Sequence, residues 1–143
     1  LFCNRNEITS IINLPNTLIF ISCCYNDISH FDKFPDSLLY LYCSDNKIKS
    51  LDNLPEKLSK LCCIYNDITL LDHLPKNLSI LDCGFNPIIH LDNLPKNLYS
   101  LDCSHTDVKD LNNLPGKLKV LKCMNGELTS LDNLPCKLKI LNC

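Results

Sequence analysis

Cysteine is the residue with the widest chemistry in this sequence, because a thiolate can form a disulfide, bind a metal ion or act as a nucleophile. The chain has 143 residues and 11 cysteines. Three of them, Cys24, Cys62 and Cys136, have no regular spacing. The others recur every twenty residues: Cys3, Cys23, Cys43, Cys63, Cys83, Cys103, Cys123 and Cys143. A short chain this rich in cysteine would ordinarily be a disulfide scaffold.

The phase of the regular cysteines favours a structural role. Cys83 follows the apolar Leu81 by two residues, so both side chains point inward from a strand. Strands roughly 4.8 Å apart permit a disulfide by distance, but bridges would join the cysteines in pairs although every coil carries the same residue. Zinc usually requires CxxC pairs, and the sequence has none. We therefore predict a reduced column that fills the core in an intracellular, reducing compartment, with disulfides and metal as alternatives. Its members are Cys23, Cys43, Cys63, Cys83, Cys103 and Cys123.

The irregular cysteines do not predict catalysis. Cys24 and Cys62 have outward strand positions, and Cys136 lies on the return loop. A nucleophile needs a base within hydrogen-bond reach, but His73 and His90 are predicted on the return side. No phosphate-binding glycine loop, acid–base pair or metal-ligand set occurs either. The sequence predicts a chain that is not an enzyme and has no cofactor.

A twenty-residue repeat determines the elements that position these residues. It reads L-P-x-x-L-x-x-L-x-C-x-x-N-x-I-x-x-L-D-N. Alternation around 41–43 predicts a short strand in each coil, and strands with no room to reverse must run parallel. Proline and the Asp-Asn pairs favour an extended or polyproline-like return path with at most one 3₁₀ turn, closed by Leu91, Leu94 and Leu98. We predict a β-rich solenoid with little or no α-helix, one array over 1–143 of about seven repeats, each stabilised by stacking on its neighbours.

Two polar columns accompany the strands. An asparagine amide at the bend can donate to and accept from backbone groups of adjoining coils, which predicts a structural role. This column contains Asn26, Asn46, Asn66 and Asn86, and Thr106 and Gly126 interrupt it. The second column consists of Asp32, Asp52, Asp72, Asp92 and Asp132. Asx turns to the following backbone N–H groups are the favoured interpretation there, with calcium as the alternative.

Composition excludes several classes of protein. Lysine and arginine number 14 and aspartate and glutamate 16, which gives a net charge of −2 and no strongly basic character for nucleic acid. Hydrophobic residues make up 45%, too many for intrinsic disorder. No apolar run approaches a membrane span. A protein partner therefore remains the main expectation, with self-association as a further possibility.

The motif LxxLxCxxNxI resembles the leucine-rich repeat signature, with cysteine in the third leucine position, over the whole chain. The short repeat and its LPxxL opening are similar to type III secreted effectors of bacteria. The cysteine with LDNLP is similar to repeat proteins of giant viruses of the mimivirus group. This resemblance implies a right-handed curved solenoid with a parallel sheet on its concave side. It also implies an interaction module, the substrate arm of a ubiquitin ligase or a virion component, in a host cytoplasm or a virion. Because exposed terminal coils need polar caps, we expect the chain to be part of a longer one.

The outward strand positions vary as a binding surface would. Three aromatic residues, Phe20, Tyr40 and Tyr42, lie at outward positions of adjacent strands, and tyrosine is a frequent interface anchor. The alternative is that exposed strands favour such residues in any case. The predicted partner-binding residues of the concave face are Phe20, Tyr40, Tyr42, Ile64, Tyr25, Tyr65, Asp82, Asp102 and Lys122.

Overall fold

Seven short strands form one parallel sheet in the computed structural model, which describes all residues 1–143. The strands are β1 (Phe20–Ser22), β2 (Tyr40–Tyr42), β3 (Lys60–Cys62), β4 (Ile80–Asp82), β5 (Ser100–Asp102), β6 (Val120–Lys122) and β7 (Ile140–Asn142). Each strand pairs with the next along the chain, and every pair has the same register, as in Phe20 opposite Tyr40. Phe2 adds a single parallel bridge to Ser22. The chain is thus a stack of coils that each contribute one strand.

Proline shapes the path that leads into each strand. The N–H of Leu98 donates to the carbonyl of Pro95 at 2.9 Å. The same hydrogen bond closes the turn after the proline of each of the other coils, from Pro15 to Pro135. Proline tolerates this turn because its fixed φ suits the position and no donor is needed from its nitrogen. Turns and extended segments make up the rest of the return path. No helix occurs, and hence none that could cross a membrane. The predicted fold class, a solenoid with a parallel sheet, is confirmed.

Apolar side chains from both sides of every coil fill the interior. One cluster of 31 buried apolar residues runs the length of the stack. Strand centres such as Leu81 contribute from the sheet, and Leu91, Leu94 and Leu98 contribute from the return path. Each buried leucine or isoleucine contributes about 1.5–3 kcal/mol relative to an exposed one. Because each coil covers the next, this burial requires neighbouring coils and is not available to one coil alone.

Left-handed backbone recurs at two bends of the coil. The bend on the return path uses mostly asparagine, with φ of 59° at Asn93 and 64° at Asn113. Asparagine tolerates this region better than other non-glycine residues, since its short polar side chain can hydrogen-bond locally. The other bend follows each strand and has φ between 52° and 58° in all its members. These are Arg5, Tyr25, Asp45, Tyr65, Phe85, His105 and Asn125.

The aspartate column links coils, so the expected Asx turns are wrong for Asp72 and Asp92. The Nδ2 group of Asn93 donates to Asp72 Oδ1 at 3.0 Å, and Asn113 Nδ2 donates to Asp92 Oδ1 at 3.3 Å. The left-handed φ of both asparagines is the reason, because it turns their amides back toward the preceding coil. These carboxylates therefore stabilise stacking along the return path.

Two glycines offer a matched test of how closely the coils approach. A Cβ at Gly84 would lie 2.9 Å from the backbone oxygen of Ser104 in the next coil, whereas one at Gly116 would meet nothing within 4 Å. Neither glycine has a positive φ, so only the contact differs. We expect Gly84→Ala to lower the free energy of unfolding by about 1–2 kcal/mol, and Gly116→Ala to change it by less than about 0.5 kcal/mol. Urea denaturation of both variants is the measurement, and equal stabilities would contradict the close approach.

Candidate functional site

Buried asparagines tie consecutive coils together directly behind the bend that follows each strand. Asn86 Nδ2 donates to the carbonyls of Cys63, Cys83 and Gly84 at 2.9–3.1 Å, and its Oδ1 accepts from the N–H of Ile68 at 3.0 Å. The same four bonds occur at the other members of this asparagine ladder, Asn26, Asn46 and Asn66. The ladder holds the coils, and with them the strands, at a fixed spacing.

Thr106 changes this bond pattern. Its Oγ1 donates to the carbonyl of Cys103 at 2.7 Å and to no other group. In the earlier coils the isoleucine N–H at this position donates to the asparagine of the next coil, as Ile68 does to Asn86. The N–H of Ile88 donates instead to the backbone carbonyl of Asn86 at 2.8 Å. The bend therefore contains fewer links between coils from this point on.

The regular cysteines stand next to the ladder, and six of the eight are buried. All 11 cysteines are free. The buried ones are Cys23, Cys43, Cys63, Cys83, Cys103 and Cys123. Six thiols donate across the coil boundary to a strand carbonyl at 3.4–3.6 Å: those of Cys3, Cys23, Cys43, Cys63, Cys83 and Cys103. A thiol thus fills the space of the third repeat leucine and adds a second, weak hydrogen bond to a carbonyl that already accepts from the backbone N–H of the same cysteine.

Burial sets the protonation of these thiols. It raises the pKa of Cys23 and of Cys103 to about 12, and it raises the pKa of Cys43, Cys63 and Cys83 well above the ordinary value of 9.0. A protonated thiol is a poor nucleophile and a poor metal ligand. No group of three or more His, Cys, Asp or Glu side chains is arranged to hold a metal ion. The column is therefore a packing element of the core.

The outer face of the sheet carries an aromatic patch, which we define as Phe2, Phe20, Tyr40 and Tyr42. The ring centroids of Phe2 and Phe20 are 5.0 Å apart, and Phe20 lies 5.4 Å from Tyr42 and 6.5 Å from Tyr40. Parallel pairing in register produces this arrangement, since it brings the same positions of successive strands side by side. Phe2 is 77% exposed and Tyr40 is 40% exposed. The rings contact one another, yet solvent reaches them.

A cation borders the aromatic patch on β3. The Nζ atom of Lys60 lies 5.0 Å from the centroid of the Tyr42 ring, within the range of a cation–π interaction. The hydrogen bond to Tyr42 is the first reason that the pKa of Lys60 is raised. Lys60 therefore remains charged beside the patch.

A polar row continues the same face through the later strands. Lys122 Nζ lies 3.3 Å from Asp102 Oδ2, and the thiol of Cys62 lies 3.8 Å from Asp82 Oδ2. Burial, followed by the charge of Asp102, raises the pKa of the Asp82 carboxyl. Asp82 has no cation within salt-bridge distance, whereas Asp102 has one. The row therefore presents a partly dehydrated carboxylate without a paired cation.

Cys62 is the irregular cysteine nearest to ionisable groups. Its Sγ atom lies 3.3 Å from Ser44 Oγ as well as near Asp82. Burial raises the pKa of this thiol, which disfavours the nucleophilic thiolate. Cys24 is half-buried and Cys136 is exposed.

A ladder of stacked rings borders the polar row, and the sequence analysis did not find it. The ring centroids of Tyr65 and Phe85 are 4.1 Å apart, and those of Phe85 and His105 are 3.8 Å apart with planes at 15°. The His105 ring ends the stack with its Nε2 atom 3.2 Å from Asn125 Nδ2. Their shared position after the strand is the signal that could have identified His105. Tyr25 does not join the stack because Asp45 separates it from Tyr65. Its ring makes a cation–π contact with Arg5 instead, with the Cζ atom of Arg5 5.6 Å from the ring centroid.

Between the stack and the polar row lies a groove of about 160 Å³. Gly84 lines it together with Ile64 and Ser104, and the backbones of Gly84 and Ser104 are in close contact there. Asp82 and Phe85 line its walls. The predicted residue Ile64 is thus brought next to Asp82 and Asp102, while Tyr40 and Tyr42 lie earlier on the same face.

Comparison with solved structures finds several similar chains. YopM from Yersinia enterocolitica WA-314 is 33% identical with a TM-score of 0.89, over 96% of this chain and 31% of that one. YopM from Yersinia pestis, described as a leucine-rich effector protein, is 32% identical with a TM-score of 0.89, over 96% of this chain and 39% of that one. The chain thus spans between three and four tenths of the length of these effectors.

A third similar structure shares the cysteine feature. InlJ from Listeria monocytogenes, whose functional domain is described as including a cysteine ladder, is 28% identical with a TM-score of 0.67. The match covers 95% of this chain and 39% of that one. No protein-family model and no curated protein matches the chain.

Proposed function

Because the chain is a leucine-rich repeat protein, we propose that it is a protein-interaction module that binds its partner through the outer face of its sheet. This face is the one that the sequence analysis expects to be concave. The proposal includes no reaction within these residues, and it sets the module in the reducing interior of a cell. The resemblance to giant-virus proteins, the ubiquitin-ligase arm and the virion role stay predictions of the sequence.

The observation that carries the proposal is the aromatic patch. Grouped rings exposed on one face are more often contact sites than accidents. Burying one such ring contributes about 1.5–3 kcal/mol, so two or three would supply much of the energy of a specific complex. Strand propensity alone explains single rings but not their concentration on β1 and β2, since β5 and β6 carry Ser100 and Val120 at the same position as Tyr40.

The polar row complements the patch with specificity. Charges at the border of an interface steer association and exclude partners of the wrong sign more than they hold the complex together. Asp82 and Asp102 supply negative charge here, and Lys122 partly compensates it. We infer that the partner presents an apolar region to β1 and β2 and a polar, preferably cationic, region to β4 and β5.

A double substitution tests this proposal. We expect Tyr40→Ala with Tyr42→Ala to abolish capture of the partner from a cell lysate while the circular dichroism spectrum is unchanged, because neither ring belongs to the core. The matched control is Leu70→Ala with Ile89→Ala, which removes two exposed apolar side chains from the return path. Capture should persist in this control. Equal capture by the Tyr40/Tyr42 variant and the unaltered chain would overturn the proposal.

A further inference from the structure

We propose that the chain has a second binding surface, separate from the sheet face, that takes a short acidic segment of a protein partner. We call this surface the lysine edge. It lies at the proline turns that lead into the last four strands, β4 to β7. It consists of Lys76, Lys96, Lys117, Lys119, Lys137 and Lys139.

The proline turn directs these lysines outward. In the coils of β2 to β6 the turn buries a leucine three residues after proline, as with Leu118 after Pro115. In the four coils of the lysine edge the two residues between proline and leucine are exposed. Lys117 is one of these two in its coil. Lys119 follows the buried leucine and points away from the core again. The same construction in successive coils therefore places lysines of the same kind side by side.

Backbone hydrogen bonds fix how close the neighbours come. The N–H of Lys119 donates to the carbonyl of Tyr99 at 2.9 Å, and the N–H of Lys139 donates to the carbonyl of Lys119 at 2.8 Å. Directly bonded coils lie about 4.8 Å apart, the spacing of paired strands. The lysine edge is therefore a dense row of positive charge.

No carboxylate of the chain forms an ion pair with a lysine of this row. The lysines that do form ion pairs are Lys47, Lys109 and Lys122, and none of them belongs to the edge. At the outward turn positions of these four coils the sequence has no aspartate or glutamate, although earlier coils have Asp36 and Glu56 there. Like charges at this spacing repel one another, so an anion from outside the chain would be bound favourably.

A groove and an aromatic side chain provide contacts beyond charge. The groove has a volume of about 580 Å³ and is lined by Lys96, Lys117 and Lys137 of three consecutive coils. Gly116 lines it as well, and the space beside this glycine is open, since a Cβ there would meet nothing within 4 Å. Beside it, Tyr99 is exposed, with Lys119 Nζ 5.1 Å from its ring centroid. The edge can therefore hold side chains as well as charges.

The length of the row favours a peptide over a nucleic acid. Four coils span about 14 Å, which corresponds to four or five residues of extended chain. The edge contains no arginine, the residue that recognises phosphate in a bidentate manner, and the sole arginine of the chain, Arg5, lies at the other end of the stack. Lysine pairs with carboxylates as a point charge. We therefore assign the edge to a segment of glutamate or aspartate residues.

Fluorescence anisotropy with a labelled hexaglutamate peptide tests this assignment. Lys96→Glu with Lys137→Glu removes no intramolecular hydrogen bond or ion pair, and Lys33→Glu with Lys49→Glu makes the same change of net charge elsewhere. We expect the first variant to weaken peptide binding at least tenfold and the second less than twofold. Binding by the unaltered chain should weaken as salt is added. Circular dichroism verifies that both variants are folded.

Three results would overturn the assignment. The first is that the unaltered chain does not bind hexaglutamate at low salt. The second is that both double variants weaken hexaglutamate binding equally. The third is that the unaltered chain binds hexadeoxythymidylate more tightly than hexaglutamate. The Tyr40→Ala and Tyr42→Ala variant separates this surface from the sheet face, since it should bind hexaglutamate as the unaltered chain does. Failure of one proposal therefore leaves the other testable.

Discussion

In the presence of a reductant, the solenoid should lose its stability steeply as the pH rises above 9 and should unfold between about pH 10 and 11. The cause is the cysteine column. The pKa of Cys23 and of Cys103 is about 12 in the folded chain, and the three thiols between them also have a raised pKa. In the unfolded chain these thiols ionise near the ordinary value of 9.0.

The direction of the effect follows from which state binds more protons. Above pH 9 the unfolded chain releases thiol protons that the folded chain retains, so each of these thiols shifts the equilibrium toward unfolding by about 1.4 kcal/mol per pH unit. Five such thiols give a slope of about 7 kcal/mol per pH unit. Domains have a total stability of about 5–15 kcal/mol, which a rise of one to two pH units would consume. Below pH 9 both states are protonated and the contribution is fully present.

Urea denaturation at pH 7, 9 and 10 measures the slope. A variant with Cys63→Ala and Cys83→Ala is the matched control, because it removes two of the five thiols. We expect this variant to be less stable than the unaltered chain at pH 7, owing to the space it leaves, but to lose stability with pH about two fifths less steeply. A free energy of unfolding that is equal at pH 7 and pH 10 would show that the buried thiols do not control stability.

The second large effect concerns Asn86, one of the most deeply enclosed members of the asparagine ladder. Its side chain is 3% exposed and makes four hydrogen bonds to backbone groups. Asn86→Ala would leave the N–H of Ile68 and the carbonyl of Cys83 without partners. The carbonyls of Cys63 and Gly84 would keep a second donor, the amide of Asn66 and the N–H of Tyr65. Each unsatisfied buried group costs about 1–3 kcal/mol, and relaxation of the bend recovers part of it, so we expect a loss of about 4 kcal/mol.

Two variants calibrate this loss by urea denaturation. Asn86→Thr should cost about half as much, because Thr106 shows that a threonine at this position still satisfies the cysteine carbonyl. Asn97→Ala removes an exposed asparagine that donates to the carbonyl of Lys76, and should cost less than about 1 kcal/mol. If Asn86→Ala were no more damaging than Asn97→Ala, the ladder would not be what holds the coils together.

The fold was predictable because period and phase are explicit in the sequence. Proline marks one turn in every coil and cysteine marks the inward side of every strand, so strand order, register and core follow from counting. The same period places Tyr65, Phe85 and His105 at one position of the repeat, but the left-handed backbone that stacks their rings was not predictable from it. Left-handed backbone is usually inferred from glycine or asparagine, and these residues adopt it with bulky rings.

The aspartate column shows a second limit of reading a sequence coil by coil. Local turn chemistry favours a bond from Asp92 to its own backbone, whereas the observed partner is the amide of Asn113 in the next coil. Which partner Asp92 binds depends on the left-handed backbone of Asn113, because this conformation turns the Asn113 amide toward the preceding coil. Contacts of this kind become predictable only when two neighbouring coils are considered together.

The uniform register of the sheet has a consequence for how such a chain can change over generations. Every strand is offset from its neighbour by the same number of residues as every other strand. Unequal recombination between two repeats of the gene would therefore add or delete whole coils without disturbing any pairing. An insertion of one residue in a strand would instead turn its core residues outward. The reach of the protein along its partner is thus inherited as a count of repeats, and can lengthen or shorten in one genetic event.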